Sequence, residues 1–106
     1  MLFALLGAHF FFDYAGQGEY MAKGKNPNTP WPDTPYWSVL FGHAMIHGAA
    51  VALITQVWWI GLLETIIHGT TDLAKCNGHI NFNTDQTIHV ICKVIWVLAI
   101  VGMVQA

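Results

Sequence analysis

The sequence predicts an all-α fold, a four-helix up-down transmembrane bundle with a polar His/Asp/Glu core, and three observations lead there. Hydrophobic residues make up 55% of the 106 and charged residues 9%, where an ordinary soluble domain carries about a quarter charged. All four prolines fall in one ten-residue stretch, "NPNTPWPDTP". Ionisable residues recur four apart inside otherwise apolar runs, as in "ETIIHGTTD" at 64–72. A chain this short has room for one core, so residues 1–106 are expected to form a single helical membrane domain.

The first helix is expected at about 2–22. Its start, "MLFALLGAHFFFD", lacks the basic n-region and small-residue cleavage site of a secretory signal, so it reads as a helix that stays. Proline ends helices and disfavours the helical conformation in the residue before it, so the proline stretch is a loop. From Tyr36 to Cys76 the chain is apolar for about forty residues, roughly 60 Å as one helix, whereas a bilayer core is about 30 Å. Two helices, 37–54 and 57–76, are therefore expected, with a turn at Thr55 and Gln56. In "CNGHINFNTD", Gly78 can end the third helix, and Asn83 with Gln86 can cap a fourth at 84–105.

Trp31, Tyr36 and Trp37 on one side and Trp58 and Trp59 on the other lie about one membrane thickness apart, as interfacial belts require. Lys23, Lys25 and Lys75 all belong to loops on the same side, which the positive-inside rule makes cytoplasmic. Net charge is -2, with four lysines and no arginine, so nothing can neutralise a row of phosphates and nucleic acid is excluded as a partner. Cys76 and Cys92 form no CxxC pattern and read as buried thiols.

Each expected helix carries its ionisable residues one turn apart: His9 and Asp13; His43 and His47; Glu64, His68 and Asp72; Asp85 and His89. Residues four apart share a helix face, a spacing that lets two side chains grip one metal ion. Counted from the loops, all four sets fall toward the same end of an up-down bundle. A carboxylate in apolar surroundings costs several kcal/mol unless it is paired or bound to metal, so intramembrane acids are functional candidates. Within the expected helices Lys93 is the one cation set among them, too few for Asp13, Glu64, Asp72 and Asp85. One or two divalent cations would balance them, with His9, Asp13, His43, His47, His68, Asp72, Asp85 and His89 as ligands. Zinc suits this donor set best, with manganese or iron as alternatives. Glu64 and Asp85 are the candidates for taking a proton from bound water, and Lys93 for contacting an anionic substrate. A metal-free polar network would explain the same residues structurally.

The stretches "AHFFFDYAGQGEYMAKGKN", "FGHAMIHG", "HGTTDLAK" and "NTDQTIHVICKVIW" resemble the motifs of a family of small, uncharacterised bacterial and bacteriophage membrane proteins, a domain of unknown function, in the order HxxxD, HxxxH, HxxxD, DQxxH. That resemblance implies a bacterial inner-membrane location and no particular activity. A looser similarity connects the helical His/Asp sets to membrane-bound metal-dependent hydrolases and to the zinc-dependent phospholipase C fold, and implies attack on phosphoesters.

The function expected is therefore a divalent-metal-binding integral membrane protein that hydrolyses an ester or phosphoester, a lipid among the candidate substrates. The alternative from another class is a non-enzymatic bundle with a structural metal or polar network that binds a host or phage protein. Besides the bilayer, a second copy of the chain is an expected partner, since several helix faces are apolar. Metal transport is disfavoured because the half near Trp58 and Ile100 is almost free of ionisable residues.

Overall fold

The computed structural model describes residues 1–105. It is all-helical, with five helices and no strands among the described residues. α1 spans Leu2–Phe10 and runs on into a wider π-helical turn at Phe11–Ala15. α2 is Gly18–Gly24, α3 Tyr36–Thr55, α4 Trp58–Cys76 and α5 Phe82–Gln105.

The expected helix at 2–22 is thus two helices. The Gly16 amide bonds back to the Phe11 carbonyl at 2.6 Å, five residues away, and Gly18 takes φ +68. Glycine reaches positive φ without a Cβ penalty. The paired glycines of "AGQGEY" let the chain turn here.

The other breaks fall close to the expected places. Pro35, extended at ψ 132, precedes α3, and Gln56 closes that helix in the left-handed conformation at φ 61. The Thr55 hydroxyl accepts from the Val57 amide at 3.2 Å, which tightens the turn into α4. Gly78, φ +79, follows α4, where the His79 amide bonds back to the Ala74 carbonyl at 2.9 Å. The cap of α5 differs from expectation. Asn81, two residues before Asn83, accepts from the Thr84 amide at 2.8 Å. Gln86 consequently turns inward.

α3 and α4 form an antiparallel hairpin that closes on glycine. A Cβ on Gly61 would lie 2.6 Å from the Gly48 carbonyl oxygen, and one on Gly48 would meet Thr65. α1 and α5 pack against this hairpin, and α2 lies on α3. At one level Leu5, Val51, Ile60, Cys92 and Trp96 make a small apolar core. Elsewhere the usual distribution is inverted: among large side chains under 2% exposed, Leu5 and Ile60 are the apolar ones, beside nine ionisable residues. Trp37, Phe41, Leu53, Trp58, Leu62, Ile66, Ile91 and Leu98 face outward.

Four membrane spans were expected; by length and composition two helices qualify, α3 with mean hydropathy 1.6 and α5 with 2.2. α1 with its π turn is too short, at 14 residues or about 21 Å. α4 carries Glu64, Asp72 and Lys75 within its 19 residues, which lowers its hydropathy.

Candidate metal centre

The four sets of ionisable residues meet. His9, His43, His47, Glu64, His68, Asp72, Asp85 and His89 are each at most 2% exposed, and Asp13 is 9% exposed. Asp13 lies on the π turn, four residues after His9, and both side chains are buried. Such turns interrupt α-helices frequently at functional sites.

Around Asp13 three imidazoles converge. Its Oδ1 lies 3.0 Å from His47 Nε2, 3.2 Å from His43 Nε2 and 3.5 Å from His68 Nε2. His43 Nε2 and His68 Nε2 are 3.1 Å apart. The edges of a regular tetrahedron with metal–ligand bonds of about 2.0–2.1 Å are about 3.3–3.4 Å, so these four separations bracket a tetrahedral cation site. The four ligand atoms can hold a metal ion.

Hydrogen bonding alone does not satisfy this arrangement. One carboxylate oxygen offers about two acceptor positions, yet three ring nitrogens face Asp13 Oδ1. At the His43–His68 contact only one of the two nitrogens can carry the proton. His47 Nε2 has no hydrogen-bond partner although it is buried. A cation accepts lone pairs from all four atoms at once. On the far side of its ring, His43 Nδ1 lies 2.9 Å from Met21 Sδ, and His68 Nδ1 lies 3.6 Å from Glu64 Oε1. Carboxylates in that position orient and polarise metal-binding imidazoles.

A second set adjoins the first. Ligand atoms of Asp13, Asp85 and His89 lie within 4.8 Å of one another, as do those of His9, His68 and His89. The rings of His47 and His68 stack at 3.7 Å and those of His68 and His89 at 4.1 Å. Gln86 joins three members: its Nε2 donates to Asp13 Oδ2 and to Asp85 Oδ2, both at 3.0 Å, and its Oε1 lies 2.9 Å from His9 Nε2.

Three sequence-chosen residues have other partners. Lys93 Nζ donates to Glu64 Oε1 at 2.6 Å, and Trp96 Nε1 donates to Glu64 Oε2 at 2.7 Å. Both Glu64 oxygens are therefore engaged, and so is Lys93. Asp72 Oδ2 accepts from Lys25 Nζ at 2.6 Å, Lys75 Nζ lies 3.2 Å from its Oδ1, and its remaining close neighbour is His43 at 3.3 Å. It stands outside the metal-capable groups.

Lys25 is the largest surprise. Expected in a loop, it is 3% exposed and reaches Asp72 from 47 residues away. Two loops meet at this end, where Asn28 Nδ2 donates to the Cys76 carbonyl at 3.0 Å. Of the residues missed from sequence, Gln86 had a signal in its place beside Asp85. Lys25, Met21 and Trp96 had none, because their partners lie on distant elements. Cys76 and Cys92 are free, and Cys92 belongs to the apolar core.

Comparison with curated proteins and with solved structures finds no significant match. A family described as "Protein of unknown function (DUF3307)" matches residues 1–106. The match spans the whole sequence, and with it every residue of the metal-capable cluster, so the chain belongs to the DUF3307 family, a domain of unknown function.

Proposed function

We propose that the chain is a membrane-embedded metal protein in which Asp13, His43, His47 and His68 hold a divalent transition-metal ion, and that this centre hydrolyses an ester or phosphoester. One observation carries the metal: four buried ligand atoms from three helical elements, spaced 3.0–3.5 Å where measured pairwise. Three imidazoles and one carboxylate suit zinc, with manganese or iron as the alternatives. Membrane embedding is supported by the two long apolar helices and by the outward-facing aromatic and aliphatic side chains. The long dimension of 49 Å is close to the full thickness of a bilayer with its headgroups, about 40–45 Å.

Hydrolysis is supported by polar groups that a structural ion does not need. Asp85 Oδ1 and both ring nitrogens of His89 are buried beside the centre without hydrogen-bond partners. A metal at this position acidifies water and stabilises charge developing on an ester oxygen. Glu64 is held by Lys93 and Trp96, so Asp85 is the carboxylate available to the centre.

A structural metal in a non-enzymatic bundle is the second reading. Four protein ligands already fill a tetrahedral shell, as structural zinc sites do. Elemental analysis of detergent-purified protein, for the wild type and for His47→Ala and Asp13→Asn, tests the centre. At least one ion per chain in the wild type and a lower content in both variants is expected; equal content in all three would overturn it. Fully metal-loaded protein that turns over no member of a panel of carboxylic and phosphate esters would leave the structural reading.

A further inference from the structure

We propose that a second divalent metal binds beside the first, held by Asp85 and His89, with the Asp13 carboxylate bridging the two ions. This rests on the metal reading of the Asp13–His43–His47–His68 set. The argument starts from polar atoms left without partners. Asp85 Oδ1, both ring nitrogens of His89 and His9 Nδ1 are buried and make no hydrogen bond within the protein. Asp85, His89 and His9 are each no more than 1% exposed. Leaving such groups unsatisfied is costly, and native proteins rarely do so without an ion, a water or a functional reason. Most of the unpartnered ring nitrogens thus lie on this side of Asp13, outside the tetrahedral set.

Geometry makes a cation the shared solution. His89 Nε2 lies 3.3 Å from Asp85 Oδ1, a separation that fits two ligands on one small ion. Ligand atoms of Asp13, Asp85 and His89 fall within 4.8 Å of one another. On the same side, His9 Nε2 lies 3.6 Å from Asp13 Oδ2 and bonds to Gln86 Oε1 at 2.9 Å, so His9 braces the bridging acid and its glutamine partner. Asp13 belongs to both groups, presenting Oδ1 to the three imidazoles of the first and Oδ2 toward the second. A carboxylate with its oxygens so divided is the usual bridge between ions about 3.5–4 Å apart. Gln86, donating to Asp13 Oδ2 and Asp85 Oδ2, is the positioning residue that sets these two acids side by side.

Charge adds the class of a third ligand. Asp85 has Lys75 at 3.7 Å, and no lysine lies within ion-pair distance of Asp13 among the described residues. Two divalent ions against these two carboxylates leave net positive charge, which a bridging hydroxide or the oxyanion of a phosphoester balances.

Metal titration of chelator-stripped protein, with the stoichiometry read by elemental analysis, tests the proposal on wild type, Asp85→Asn and His89→Gln. About two ions are expected in the wild type and about one in each variant, with helicity by circular dichroism unchanged. Manganese-loaded wild type should give the spin-coupled multiline resonance of an ion pair, and Asp85→Asn the six-line signal of an isolated ion. One ion in the wild type, retained in both variants, would overturn the second site and leave the first standing. No bound ion in the wild type would overturn both. Should either variant fail to fold, the wild-type stoichiometry and resonance decide the matter alone.

Discussion

Two buried carboxylates, Asp13 and Glu64, sit within one cluster and are stabilised in opposite ways. Glu64 is complete within the protein: a lysine at 2.6 Å neutralises one oxygen and an indole at 2.7 Å bonds the other. Asp13 faces three imidazoles whose protons cannot all be accommodated. A closed ion pair needs nothing from outside, whereas a carboxylate ringed by lone-pair donors is arranged for a cation. The contrast separates acids that hold the helices together from those that can do chemistry, although sequence spacing presents both alike.

The comparison can be broken at its closed end first. Lys93→Met leaves Glu64 buried and unpaired, and is expected to cost about 3–5 kcal/mol, read from chemical unfolding in detergent. The double variant Lys93→Met with Glu64→Gln should recover part of that loss, and neither should abolish metal binding, since Glu64 reaches the centre only through the far nitrogen of His68. At the open end the expectation reverses: removing metal with a chelator should lower stability by about 2.7 kcal/mol at an ion concentration a hundredfold above Kd, while His68→Ala should show no chelator effect. Trp96→Phe sharpens the contrast by removing one hydrogen bond from Glu64, for about 1–3 kcal/mol with metal retained. The smallest effect belongs to a position outside both regions. Gln56→Gly relieves a left-handed residue at φ 61 and should stabilise the α3–α4 turn by up to about 1 kcal/mol, visible as a higher unfolding midpoint.

Much of this was legible in the sequence, because the informative features were local. Prolines, Gly78 and the Thr55–Gln56 pair mark chain breaks through backbone constraints, and they fall where the helices end. The four-residue spacing of His9 and Asp13, or of His43 and His47, fixes a common face whatever the tertiary structure. What stayed hidden depends on partners far along the chain. Lys25 reads as a loop residue because nothing nearby announces Asp72, and the neutralising charge available to the buried acids is accordingly undercounted. The π turn escaped notice because one surplus residue leaves no mark on a hydrophobic pattern. By length and composition α1 and α4 do not qualify as candidate spans, α1 for its length and α4 for its polarity, since a helix that carries buried acids and imidazoles has less of the apolar content that marks a span.

The π turn at Phe11–Ala15 makes the length of this segment part of the site. Deleting one residue between 11 and 15 would restore ordinary helical winding, and because five residues of the wider turn cover nearly the same rotation as four of an α-helix, Leu5 and His9 would keep their inward face. The change would fall inside the turn, on the presentation of Asp13. The segment should accept many side-chain exchanges at its outward positions and few changes in its length.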